Sequence, residues 1–381
     1  MGLQFYLQDT MLIERLCGVG LYCLALLFVC NGITVSKPTS IKKWLVFYAV
    51  VLAAMGFFFV PSATTDLSRL TLFMHEWSAQ SLSWLADRCA SSTTPTYIAY
   101  FWLIGQFHVD GLLPAITALI YYLLLFSCYW DYAKRYGCSN SSIAVGVALL
   151  MSLGSFIQVV RGIRSFLAFA LVIRAVYTEC AMGRGILWNI PLYALAFTLH
   201  PAAIALGVVR LVHLAFRKKG EKGGRIGSLA LTVVMVVLLV MTGSTFIEGM
   251  LDKSTSYLTG SVYSYFWEYL LHIVQMTFVV YSLFKYRKIK EEMDEGAKEI
   301  WRFVAILSAV VVVSLPLDYS IFTRYASVAG MLVSFVSVSL MNRLGEQESH
   351  AYRRETCVIV AIILLLACSR GDLFAYKFFL M

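Results

Sequence analysis

The sequence predicts an all-α integral membrane protein, a polytopic bundle of about 12 transmembrane helices with one re-entrant or interfacial segment. Three observations predict it. The chain of 381 residues is 60% apolar and 14% charged, whereas soluble domains are roughly 45–50% apolar and about 25% charged. Its apolar runs recur at lengths of about 18 to 20 residues, the reach of a helix across the hydrocarbon core. Strand-like alternation, which a membrane β-barrel requires, is absent.

The elements follow from the apolar runs in order. Leu16–Ile33 comes first; no basic residue precedes Arg15 and no small-residue cleavage site follows, so it reads as a retained span. Leu45–Pro61, Gly111–Trp130, Ser142–Val159 and Ser165–Met182 follow. Ile186–His200 and Pro201–Phe216 meet at a break, because proline disfavours the helical conformation in the residue before it. Gly227–Gly243, Val262–Phe284, Phe303–Ile321, Tyr325–Met341 and the short Cys357–Cys368 complete the set. Residues 1–381 thus form a single polytopic domain. Its longest outer segments are 62–110 and 244–261, and Tyr97–Phe107, too short to cross, is read as the re-entrant or interfacial piece.

Charge sets the orientation. The connections Ser36–Trp44, Asp131–Ser141, Gly183–Gly185, Arg217–Ile226, Lys285–Arg302 and Asn342–Thr356 carry 20 of the 31 Lys and Arg residues, and the opposite side carries nine. The 20-residue side is therefore expected to be cytoplasmic. The net charge of +9 is then a topology signal and not a sign of nucleic-acid binding. The nine cysteines are scattered without a CxxC or Cys/His cluster, so neither a metal site nor a disulfide framework is expected. No Walker A, HExxH or GxSxG pattern is present, which disfavours ATP-driven transport and the common hydrolases. No cofactor is expected.

The unusual charged and polar residues gather at the opposite, external ends of the runs. Arg161-Gly162-Ile163-Arg164 is the sharpest such feature. Residues three apart share a helix face, and the site precedes a helix N-terminus with its unpaired N–H groups. Two guanidinium forks there would suit a diphosphate or, equally, lipid headgroups. Asp66 and Arg69 follow the second run, either as a local ion pair or as a carboxylate at a cavity mouth. His200 sits at the break, as a proton acceptor, a donor to a phosphate, or a carbonyl-bonded structural histidine. Asp318 and Arg324 flank a late turn. Glu268 lies in the aromatic stretch Tyr263–Tyr269, which reads as a sugar-stacking surface or an interfacial belt. Within the runs, Arg174 needs a partner, and Arg210 is close enough to the inner end to snorkel.

Val160–Ala170 and Ala196–Ile204, together with Thr65-Asp66-Leu67-Ser68-Arg69 and Phe322-Thr323-Arg324-Tyr325, resemble EpsG-type, Wzy-like polysaccharide polymerases. The likeness covers most of the chain in layout and these four patches in residues; Pro201 after the histidine and Arg174 depart from the family pattern. The resemblance implies a GT-C-like glycosyltransferase of the bacterial cytoplasmic (inner) membrane, joining undecaprenyl-diphosphate-linked oligosaccharide repeats at the external face without a nucleotide sugar. Arg161, Arg164 and Arg324 would hold the diphosphate, and His200 or Asp66 would take the acceptor proton. Arg69, Asp318 and Glu268 are secondary candidates. The expected partners are the lipid-linked repeat, the bilayer, a chain-length regulator and a flippase. An O-antigen ligase and a flippase of the same lipid-linked sugar are the alternatives.

Overall fold

The computed structural model describes residues 2–61, 66–216, 266–314 and 319–369, with side chains throughout except at 2–17, 266–268, 319–321 and 368–369. The expected span Gly227–Gly243, the loop 244–261, Asp318 and the side chain of Glu268 lie outside the described residues. No strand occurs among the described residues. The helices are α1 (Gly2–Val35), α2 (Ile41–Phe57), α3 (Asp66–Ser78), α4 (Leu82–Ser91), α5 (Pro95–Gly105), α6 (Leu112–Arg135), α7 (Asn140–Leu153), α8 (Phe156–Arg161), α9 (Ile163–Cys180), α10 (Ile190–Leu199), α11 (Ala202–Ala215), α12 (Phe266–Tyr286), α13 (Glu295–Ser314), α14 (Tyr319–Arg343) and α15 (Glu346–Ser369). Four stretches, in α1, α2, α6 and α14, are long and apolar enough to cross a membrane, and α7, α10 and α11 are apolar but shorter.

Local chemistry sets the helix ends. Ser81 and Ser139 accept the Trp84 and Ser142 N–H groups at 3.2 and 3.3 Å, capping α4 and α7. Pro95 opens α5, where its missing N–H costs nothing. At the end of α6, Gly137 takes φ +61° and the Cys138 N–H reaches back to the Ala133 carbonyl at 2.9 Å. A glycine closes such a turn without Cβ strain.

Packing is organised around α14, whose apolar stretch is almost wholly buried. It meets α7, α12, α13 and α15. Its small residues permit this: Ser327, Ser334, Ser337, Ser339, Ala326 and Ala329 are all fully buried, the composition that lets membrane helices approach closely. Hydroxyls tie it to its neighbours, Ser339 to Tyr132 at 2.8 Å and Ser337 to Tyr352 at 2.9 Å. A second close pair is α2 with α6. A Cβ on Gly111 would lie 2.3 Å from the Phe57 carbonyl oxygen, so only glycine lets these ends touch.

Three expectations about spans are corrected. Ser142–Val159 is not one helix: α7 stops at Leu153, and α8 begins at Phe156. The reason is the approach of α14, since a Cβ on Gly154 would lie 3.2 Å from Met331 Sδ and 2.8 Å from the Leu150 carbonyl oxygen. The run Phe303–Ile321 is two elements, because α13 begins at Glu295 and residues from Tyr319 belong to α14. Hydropathy trimmed α13 because its first turns are charged, yet Glu299 there is buried in ion pairs. The same cause shortened the last run: α15 starts at Glu346, and its early residues Tyr352 and Thr356 are buried. The break at His200-Pro201 falls where proline chemistry placed it, between α10 and α11. Residues 66–110, within the segment expected to lie outside, contain α3, α4 and α5; Gln106 of the α5 end donates to the Ser78 carbonyl at 3.1 Å, fastening α5 back onto α3.

Candidate functional site

One end of the bundle gathers helix ends from five places in the chain. They are the starts of α3 and α5, the α8–α9 corner, the α10–α11 break and the first turns of α14. The corner is made by Gly162 (φ −97°, ψ 40°), which interrupts the helix between the two arginines. A Cβ there would lie 2.9 Å from both the Gln158 carbonyl oxygen and the Phe166 ring. Arg161 therefore closes α8, and Arg164 stands in the first turn of α9. The single helical face expected to carry both arginines is not formed; a bend replaces it. Both side chains are half-buried.

Arg164 lies over the Tyr97 ring of α5, 4.5 Å from its centroid. An aromatic face attracts a guanidinium placed over it. Asp66, Arg69 and Arg324 are all within electrostatic range of Arg164. Three of the four patches singled out in the sequence thus meet around one guanidinium. Asp66 and Arg69 also pair with each other at 2.8 Å across an exposed turn of α3. Among the described residues three arginines there accompany one carboxylate, a surplus of positive charge suited to an anion.

His200 ends α10 in an extended conformation (φ −155°, ψ 126°). Its Nδ1 accepts the Ala202 N–H at 3.1 Å, capping α11. A ring that accepts at Nδ1 is neutral and carries its proton on Nε2. In this state His200 is a hydrogen-bond donor at Nε2 and not a base. Two contacts bracket the residue. Thr198 shares a 2.7 Å hydrogen bond with Thr96, next to Tyr97. Tyr325, next to Arg324, donates to the Ala202 carbonyl at 2.6 Å.

The opposite end of the bundle holds a buried chain of charges. Arg210 is not snorkelling as expected: it is 1% exposed and donates to Glu179 at 2.8 and 2.9 Å. A fully desolvated carboxylate is a better partner than distant water once α9 and α11 pack together. Arg210 also donates to His213 Nδ1, and His213 Nε2 faces Glu299 of α13 at 3.0 Å. Arg302 closes the chain on Glu299. With a guanidinium donating into Nδ1, His213 is neutral, so two ion pairs are bridged by an uncharged ring. Arg174 finds Ser127 Oγ at 3.3 Å and Cys128 Sγ at 3.5 Å on α6.

Sequence reasoning missed Tyr97 and this charge chain. For Tyr97 no local signal exists, since an aromatic in an apolar run is usually packing. The chain did leave one: Arg210 with His213, and Glu299 with Arg302, are each three residues apart on a helix. No protein-family model, curated protein or solved structure matches the chain.

Proposed function

We propose that this chain is a membrane glycosyltransferase that polymerises undecaprenyl-diphosphate-linked oligosaccharide repeats. The observation that carries the reading is that Arg69, Arg324 and Asp66 all come within electrostatic range of Arg164, which lies over the Tyr97 ring, with Arg161 three residues away at the corner and His200 bracketed nearby. A lipid diphosphate concentrates negative charge at one point, and guanidinium forks match its oxygens. About 12 spans, with the arginine end facing outward, would place that point where an exported lipid-linked repeat presents its headgroup.

In this mechanism an acceptor sugar hydroxyl attacks the anomeric carbon of the donor. The bond from that carbon to the diphosphate oxygen breaks, and the lipid diphosphate leaves with the electron pair. The arginines stabilise the charge that develops on it. The hydroxyl proton passes to Asp66, because the proton on His200 Nε2 makes that ring a donor toward the leaving phosphate. Arg69 holds the Asp66 carboxylate, and no cofactor takes part. A chain-length regulator and a flippase are the protein partners this role calls for.

The buried chain Glu179, Arg210, His213 and Glu299 favours a second reading. Ionisable groups inside a bundle often line an ion path, and an ion-coupled flippase of the same lipid-linked sugar would use one. Purified protein given synthetic lipid-diphosphate repeats and no nucleotide decides between them. A ladder of lengthened glycans is expected. Absence of a ladder overturns the polymerase; transport of the repeat across a bilayer without lengthening identifies the flippase, and transfer to a different acceptor identifies a ligase.

A further inference from the structure

Directly beneath the arginine cluster runs a string of polar side chains, all buried but the half-buried Gln158, that the proposed reaction does not use. Its members are Ser327 on α14, Gln158 on α8, and His272 and Gln275 on α12. One carbonyl fixes the direction of every bond in it. Gln275 reaches the Leu153 carbonyl at 3.4 Å and must present its NH₂ there. Its oxygen therefore faces His272 Nδ1, 2.7 Å away, and that nitrogen is the donor. In the neutral ring Nε2 is then an acceptor, so Gln158 turns its NH₂ toward it at 3.2 Å. The Gln158 oxygen is left to accept from the Ser327 hydroxyl at 2.7 Å. Each polar atom named is matched to one of the opposite kind, which is what a buried network needs to be rigid.

The register of the string is informative. Gln158 precedes Arg161 by three residues on α8, and Ser327 follows Arg324 by three on α14. Residues three apart are neighbours on a helix. The Gln158–Ser327 bond thus joins the two arginine-bearing elements one turn below their arginines. Just across the Gly162 corner, Arg164 at the start of α9 and Arg324 of α14 carry like charge within electrostatic range of each other. Without an anion between them they would tend to part.

We propose that Gln158 and Ser327 are positioning residues that set the spacing of the arginines, with His272 and Gln275 holding the Gln158 amide in the required orientation. The proposal rests on the arginine cluster being a diphosphate site. A set spacing selects a ligand with two phosphoryl groups over one, so the readout is a ratio and not affinity alone. The full chain in lipid nanodiscs is titrated with undecaprenyl diphosphate and with undecaprenyl monophosphate, and its melting temperature is followed in parallel. The wild type is expected to prefer the diphosphate. Ser327→Ala removes one oxygen, and Gln158→Ala the other end of the bond. Loss of one net hydrogen bond is expected to lower the preference about three- to tenfold in each, and Ser327→Thr, which keeps the hydroxyl, restores it. An unchanged ratio in both alanine variants, or equal weakening toward both ligands, overturns the brace while leaving the arginine site standing. A wild type that does not distinguish the two lipids overturns the site and the brace together.

Discussion

At residue 200 the chain needs a side chain that can do two things at once. Nδ1 caps α11 by accepting the Ala202 N–H, and Nε2 carries the ring proton. The two jobs separate by substitution. In His200→Asn the amide oxygen stands close to where Nδ1 was, so the cap survives while the distal donor is lost. In His200→Gln the distal nitrogen is roughly replaced and the cap is lost. Caps contribute about 0.5–2 kcal/mol. His200→Gln is therefore expected to lose about 1 kcal/mol of stability and retain partial polymerisation, and His200→Asn to keep stability and lose most of the polymer. Denaturation in detergent and glycan ladders check the pair; the opposite pattern would show that His200 only shapes the helix break. The arginines allow a similar separation. Arg→Lys at 161 or 164 keeps charge and loses the fork, and a hydrogen bond to a charged group contributes roughly 1.5–3 kcal/mol. Each such change should slow polymerisation by about one to two orders of magnitude, most at Arg164, where lysine also loses the guanidinium contact over the Tyr97 ring. Normal ladders from both Arg161→Ala and Arg164→Ala would end the diphosphate assignment.

Among the elements, α9, α11 and α13 are joined at the far end of the bundle by the chain from Glu179 to Arg302. Glu179, Arg210 and Glu299 are desolvated, so their value lies in being matched. Removing one partner strands the other, at a cost of about 3–5 kcal/mol. Glu179→Ala or Arg210→Ala should therefore unfold the protein at much lower temperature, whereas the double variant Glu179→Leu with Arg210→Met should recover most of the loss. If the single changes melt normally, water reaches the chain and an ion path gains support. This region also marks where sequence reading reached its limit. Hydropathy found α6 and α14 because apolar length alone defines them. It cut α13 and α15 short because both helices open on charged turns, and in α13 the buried Glu299 looks like a loop charge until its partners are known. Proline at 201 announced its break, since its effect is local. Gly154 did not announce its own, because the Met331 side chain that requires it is 177 residues away. The site divides the same way. Asp66, Arg164 and Arg324 were legible as charges at run ends, where lipid makes charge expensive. Tyr97 was not, because a ring acquires its role only through what is laid on it.

For the molecule as a whole, the distribution of charge and the geometry make one joint statement about sidedness. The arginine cluster occupies one end of the bundle, where α9, α11 and α14 begin and α10 ends. The chain from Glu179 to Arg302 occupies the other, where α9 and α11 end and α13 begins. The connections at that second end, among them Asp131–Ser141, Lys285–Arg302 and Asn342–Thr356, are those counted into the Lys- and Arg-rich side. By the positive-inside rule the second end is expected to be cytoplasmic and the arginine cluster to face out, as the proposed function requires. Cysteines placed singly near Ser68 and near Lys290, in a background without the nine native cysteines, test this directly. An impermeant thiol reagent added to intact spheroplasts should label the Ser68 site and spare the Lys290 site, and lysis should open the second to labelling. The reverse pattern would put the arginine cluster in the cytoplasm, facing repeats before export, and a polymerase acting on exported repeats would no longer be tenable. Equal labelling at both sites before lysis would place both on one side, which the antiparallel run of α9 and α10 between the two ends forbids if the bundle spans the membrane.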